Sequence, residues 1–300
     1  MKKVTLTFIA IFLASYIPFS YSDEEHSEVF ELRTGFYIKS FPEIQPADIE
    51  IALRYWIEAI SKQVNIPAKS FVYTNIEKMR NDYYQGKLNF IVASPLSILE
   101  NFDPKQLTDG YKLTWSGVSE DVLLVVTRKD SGLNSFNTVR NKHLSILANE
   151  PISKMYVDTL ALENFGTPAQ QLFSQISYIN KSSQLVYQLF FQKTDVIFVY
   201  QIMYNISSEL NPQIRKKTQI IEKLPAIPRV LGFFHPRVAT EFREKVLSEV
   251  EKLNTYPKGQ QLLQLFQVDK AVRSNVADLD SIRLLKQRYL QLINTKRTHD

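Results

Sequence analysis

The chain has 300 residues, 44% hydrophobic and 22% charged, which is room for two domains with sizeable cores and argues against wholesale disorder. Its formal charge is +5; without Lys2 and Lys3 the balance is 34 basic to 31 acidic residues, and a net +3 spread along the chain argues against a nucleic-acid role. The absence of cysteine excludes a disulfide scaffold, a thiolate nucleophile, a cysteine zinc site and a lipid-bearing cysteine.

Residues 1–22 read as a secretory signal. Lys2 and Lys3 precede a mostly apolar run from Val4 to Phe19, and Ser20-Tyr21-Ser22 places small residues at the cleavage positions. The run is short for a bilayer span and Pro18 interrupts it, with an uncleaved anchor as the alternative. The expected compartment is the periplasm.

Phe30 to Tyr37 alternates as a first strand with Gly35 near its end. A helix is predicted from about Ala47 to Val64, where Ile49, Leu53, Trp56, Ile60 and Val64 form one apolar stripe. A strand at Ser70–Tyr73 follows, then a helix to Tyr84 opened by a Thr74/Glu77 capping box. Gly86-Lys87-Leu88-Asn89 leads into an apolar run that stops at Ser94-Pro95.

Tyr111–Ser116 and Asp121–Thr127 are predicted strands, and Arg128 to Gly132 a turn. A short helix near Ser135–Arg140, a strand His143–Leu147, and a helix Pro151–Phe165 closed by Gly166 come next. Gln175–Ile179 is a strand, and Ser182 is the expected N-cap of a helix. Lys193-Thr194-Asp195 then leads into Val196–Val199, which stops at Tyr200-Gln201. Arg215-Lys216-Lys217 reads as a solvated loop face. Pro225 and Pro228 mark a connector, and Val230–Phe234 a strand returning towards the first half. The remainder is predicted helical: Val238–Leu253, Lys258–Phe266 and Asp280–Ile293.

The order β-α-β-α-β thus occurs twice, each time ending in a short apolar strand with polar residues at its C-terminal end. Parallel strands buried on both faces read this way, and ligands in open α/β sheets sit beyond such ends. Two lobes facing one cleft is the reading; two strands of a single sheet is the alternative.

Several motifs recur in a telling order. Gly35-Phe36-Tyr37 closes the first strand, and Gly86 to Phe90 precedes Ser94-Pro95-Leu96. Val126 to Leu133 forms a strand-and-turn, Lys193-Thr194-Asp195-Val196 follows Gln192, and Pro225-Ala226-Ile227-Pro228 precedes Val230. This order resembles the phosphate/phosphite/phosphonate-binding proteins of ABC transporters, within the type 2 periplasmic-binding-protein fold.

The resemblance implies an α/β fold of two lobes, each a mostly parallel sheet flanked by helices, joined by two crossover strands. Residues 23–118 and 232–300 would form the first lobe and 119–231 the second, enclosing ligand by hinge closure. It implies a monomeric periplasmic solute-binding protein without cofactor, delivering a small polar molecule to an inner-membrane permease. The alternatives are a sensory module signalling to a membrane receptor or kinase, and a secreted hydrolase.

The ligand site departs from the pattern that the resemblance implies. In phosphonate binders a Ser-Thr-Ser-Gly type loop meets the anion at a helix N-terminus. The corresponding stretch here is Ala148-Asn149-Glu150-Pro151-Ile152-Ser153-Lys154, where Pro151 removes a donor and Glu150 places negative charge at the anion position. The family's cleft histidine falls near Ser182, its acidic residue near Gln201, and its tyrosine after Pro-Leu at Ile98. Phosphonate is therefore not the expected ligand.

The candidate ligand-binding residues are Tyr37, Ser94, Ser116, Ser153, Lys154, Ser182, Tyr200 and Gln201. For Ser94 and Ser182 the competing role is a helix cap, for Tyr37 and Tyr200 core packing, and for Lys154 a pair with Glu150 or Asp158. His26, His143, His235 and His299 are scattered without metal-ligand spacing, and no nucleophile elbow or phosphate loop is present. Neither a catalytic residue nor a metal is expected.

Overall fold

The computed structural model describes residues 31–297; the expected signal segment, residues 1–22, lies outside them. The first β-α-β-α-β unit is β1 (Leu32–Tyr37), α1 (Pro46–Val64), β2 (Ala68–Tyr73), α2 (Ile76–Tyr84) and β3 (Phe90–Ala93). It continues into α3 (Pro95–Asn101) and β4 (Gly110–Thr114). The chain then crosses to β5 (Asp121–Arg128) and the second unit: β6 (His143–Leu147), α4 (Pro151–Phe165), α5 (Ala169–Leu172), β7 (Gln175–Ile179), α6 (Ser182–Phe190) and β8 (Val196–Tyr200). Next come α7 (Gln201–Leu210), α8 (Gln213–Lys217) and β9 (Thr218–Ile227). It returns through β10 (Leu231–Phe234), α9 (Thr240–Glu251), α10 (Pro257–Leu265), β11 (Lys270–Ser274) and α11 (Asp280–Arg297).

Two sheets result, in the orders β11-β4-β10-β3-β1-β2 and β7-β6-β8-β5-β9. The parallel pairs are those of the two repeated units: β3 lies parallel to β1 with Phe90 opposite Thr34, and β8 parallel to β6 with Val196 opposite Leu144. Strands that enter by crossover, β10 and β5, pair antiparallel with β3 and β8.

α1 buries the stripe its periodicity promised. Trp56, 2% exposed, stacks on Tyr111 of β4 at 6.2 Å and meets Phe266 edge-on at 5.4 Å. Close packing of β4 against β10 depends on glycine. A Cβ at Gly110 would lie 1.8 Å from the carbonyl oxygen of Gly232. Gly110→Ala is therefore expected to force the strands apart and lower stability by about 1–3 kcal/mol, read as a lower urea midpoint.

Several local expectations need correcting. α2 is capped by Asn75, whose side chain accepts from the Lys78 N–H at 3.0 Å, one residue on from the expected Thr74. Ser182 is the first residue inside α6, and Lys181 holds the N-cap position without a side-chain cap. The segment expected as a short helix near 135–140 is a single 3-10 turn, Phe136–Thr138. Arg215, Lys216 and Lys217 are exposed as expected, but on the short helix α8 rather than a loop. The C-terminal remainder is not wholly helical, because β11 pairs antiparallel with β4.

The last helix packs on the second sheet. Ile282 and Leu285 of α11 are buried in the core of the second sheet, in one cluster with Ile146, Tyr156 and Val157. Arg288 pairs there with Glu163 of α4. Leu96 of α3 joins the same core, so α3 and α11 knit the two halves together.

Candidate functional site

The two crossovers run side by side. Asp121 at the start of β5 pairs with Ile227 at the end of β9, and Leu231 of β10 pairs with Lys112 of β4. A cleft of about 420 Å³ lies between the sheets. Its wall is made by residues that follow strand ends: Lys39 to Ile44 after β1, Ser94 after β3, Asn149 to Ile152 after β6, Lys181 to Ser183 after β7, and Tyr200 closing β8. Trp115, Ser116, Arg229 and Val230 of the crossovers form its floor with Phe266, Gln267 and Asp269.

Among the described residues four helices begin at or beside this cleft, and in each an N-terminal N–H is already taken by a side chain of the protein. Free N–H groups and the dipole make such ends the natural seat of an anion. At α3, Ser94 takes the Ser97 N–H at 3.4 Å and its hydroxyl donates to the Ser97 hydroxyl at 2.8 Å. At α4, the Glu150 carboxylate takes the Ser153 N–H at 2.6 Å. At α7, Asp121 takes the Ile202 N–H at 3.4 Å. At α6 the group comes from the other half of the molecule: Glu43 takes the Ser182 N–H at 3.2 Å, and the Ser182 hydroxyl also donates to it.

Charge in the cleft is balanced. Glu43, Glu150 and Asp269 line it together with Lys39, Lys181 and Arg229. The Arg229 guanidinium lies between two aromatic faces, 5.1 Å from the Trp115 ring centre and 4.8 Å from that of Tyr200. The Tyr200 hydroxyl donates to Glu150 at 3.2 Å. Burial, followed by the charge of Glu150, holds that phenol far above its ordinary range, so Tyr200 acts as a fixed donor. Asp121, 3% exposed, has one oxygen buried without a partner; burial raises its pKa, against the opposing charge of Arg229.

Four of the eight candidate residues come together on the cleft wall: Ser94, Ser116, Ser182 and Tyr200. Ser116 sits at a left-handed turn (φ 50°) that Gly117 continues, and the Gly117 N–H donates to Asp269 at 2.6 Å. The other four lie elsewhere. Tyr37 packs half-buried against the Tyr73, Met79 and Tyr83 cluster. Ser153 is 1% exposed, and its N–H is spent on Glu150. Lys154 points to solvent on the side of Asp158, whose pKa it helps to restrain. Gln201 opens α7 on a separate surface with Tyr204 and Arg215. Ile98, at the position of the family's tyrosine, is fully buried.

The sequence reading missed Glu43, Arg229, Trp115 and Asp269. Two carried a signal. Pro42-Glu43 is a turn at the C-terminal end of a first strand, where ligands sit, and Arg229 is the one cation of the proline-marked crossover. Among the described residues no three His, Asp or Glu side chains gather as a metal site.

Comparison with known proteins agrees with this architecture. A structure from Pseudomonas aeruginosa, the binding protein component of an ABC phosphonate transporter, superposes with a TM-score of 0.59 at 13% identity, covering 89% of this chain and 88% of its own. A Prochlorococcus marinus protein in complex with methylphosphonate gives 0.60 at 12% identity, covering 87% and 98%. A Xanthomonas citri protein bound to ATP gives 0.58 at 12%, covering 88% and 98%. At such identities the likeness shows the fold. No curated protein sequence matches the chain. The family described as "ABC transporter, phosphonate, periplasmic substrate-binding protein" matches residues 38–279. A match across that much of the chain, on this two-lobed frame with its interlobe cleft, shows that the protein belongs to the phosphonate-type periplasmic substrate-binding proteins of ABC transporters.

Proposed function

We propose that this protein binds a small organic solute with no net negative charge, rather than phosphate or a phosphonate. Members of its family are the non-enzymatic, periplasmic substrate-binding components of importers, so a small-molecule ligand and a membrane permease partner come with membership. The finer reading concerns the solute, a monomeric state, and cleavage behind Ser22. We also take the boundary between the lobes to run through the two crossovers, near residues 118 and 231, with α11 spanning both.

One observation carries the choice of solute: among the described residues, each helix that begins at the cleft has an N-terminal N–H occupied by the protein's own carboxylate or hydroxyl. A unit negative charge about 4 Å from one carboxylate is repelled by about 4 kcal/mol at an effective dielectric near 20, or roughly a thousandfold in affinity. Lys39, Lys181 and Arg229 oppose this, but Glu43, Glu150 and Asp269 match them in number. A balanced rim with aromatic and aliphatic walls suits an uncharged or zwitterionic solute with an apolar body. Ser94, Ser116, Ser182 and Tyr200 are the proposed polar contacts, joined by Glu43, Glu150 and Arg229.

A thermal-shift panel tests this. Phosphate, methylphosphonate and simple sulfonates are expected to leave the melting temperature unchanged. One or more amino acids, betaines or neutral polar solutes should raise it, since a ligand selective for the native state adds about 2.7 kcal/mol at a hundred times its Kd. A rise with the oxyanions alone would reverse the assignment.

A further inference from the structure

We infer that Glu43 is a tethered stand-in for an anionic ligand: it crosses the cleft onto α6, holds the lobes together without solute, and denies that position to free oxyanions. The exclusion half rests on the ligand reading above; the latch half does not.

The stalk that carries Glu43 is rigid. Phe41 to Ile44 is a turn closed by the Ile44 N–H on the Phe41 carbonyl at 3.2 Å, and Pro42 fixes the backbone at its second position. Phe41 is 8% exposed, with its ring 5.8 Å from that of Phe266, so the turn is rooted in the core of the first sheet. From there Glu43 reaches a residue 139 positions away, the first of α6 in the opposite half. Both its oxygens are engaged, by the N–H and the hydroxyl of Ser182, itself 3% exposed.

α6 has no cap of its own. Lys181 supplies none, whereas α3, α4 and α7 are each capped from within their own half. A carboxylate is the group that a helix N-terminus prefers, and a caller from the other lobe makes that preference conditional on closure. Opening the cleft must break the contact. A free oxyanion must displace a group whose effective concentration is set by a short, stiff tether.

The test compares wild type, Glu43→Gln and Glu43→Ala, purified without ligand. The first readout is the radius of gyration by small-angle scattering, with circular dichroism to verify the fold. Glu43→Ala is expected to be more open than wild type, and Glu43→Gln, which keeps the length and loses the charge, to lie between them. An alanine variant as compact as wild type overturns the latch. If the alanine variant does not fold, a glutamine variant with wild-type compaction overturns it instead.

The second readout is titration with methylphosphonate, for which the alanine variant is expected to bind at least tenfold more tightly than wild type. No gain over wild type overturns the exclusion role. If wild type itself binds methylphosphonate tightly, the ligand reading fails and the exclusion with it. The scattering comparison then decides on the latch alone.

Discussion

A chain ending at Leu279 is expected to lose its cooperative unfolding transition, although it would keep every strand of both sheets. The missing segment, α11, is not an appendage. Ile282 is fully buried and Leu285 is 3% exposed in the core of the second sheet, and Arg288 pairs with Glu163 on α4. Emptying one buried Leu or Ile costs about 2–5 kcal/mol, and a domain's whole stability is about 5–15 kcal/mol. Losing two such residues together with the surface that α11 covers on α4 is a loss of the same size as that whole stability. The single-residue form is cleaner: Leu285→Ala should lower unfolding free energy by about 2–5 kcal/mol in urea without a change in slope. Its neighbour Leu284, 66% exposed, supplies the control; Leu284→Ala should stay within about 0.5 kcal/mol of wild type. Equal effects at both positions would mean that α11 does not pack as described.

Arg229→Ala is expected to damage stability and solute binding together. The guanidinium sits between Trp115 of the first crossover and Tyr200 of the second sheet, and opposes the buried charge of Asp121. Each such contact is worth up to about 2 kcal/mol when desolvated, so a loss of about 1–3 kcal/mol in stability is expected. Solute affinity should fall at least tenfold, or about 1.4 kcal/mol, because the floor of the cleft loses both its cation and the spacing of its aromatic walls. Arg229→Lys keeps the charge near Asp121 but not the planar stacking. It should therefore recover much of the stability and less of the affinity. Unchanged affinity in both variants would remove Arg229 from the site.

What could be read from sequence follows a physical divide. The two repeated units were legible because their strands are central and apolar and their helices carry a strong stripe, as at Trp56 and Ile60. The two strands that went unread, β9 and β11, are both edge strands. An edge tolerates Pro225 and favours Lys270 and Arg273, the same residues that argue against a strand when position in the sheet is unknown. α7 was missed because Asn205, Ser207 and Ser208 weaken its local helical signal, and Asp121 caps it from far along the chain.

The cleft was half legible for the same reason. Ser94, Ser182 and Tyr200 stand at strand ends or helix starts, places that chain order alone reveals, and Ser116 at the end of a predicted strand. Glu150 stands out in the sequence as a negative charge where an anion is expected, and in the fold it accepts the Ser153 N–H. The contact of Glu43 with Ser182 joins two lobes, and no local pattern encodes it. The same holds for the docking of α11: the spacing of Ile282 and Leu285 shows an apolar face and is silent about which core receives it.

The proposed binding protein occupies its own anion positions and takes another kind of solute. Calorimetric titration of methylphosphonate into the wild-type protein decides between this solute class and the oxyanions. No saturable heat is expected at ligand concentrations up to about 1 mM, equivalent to binding weaker than about −4 kcal/mol. A single-site isotherm with a Kd near 1 μM, about −8 kcal/mol, would contradict it.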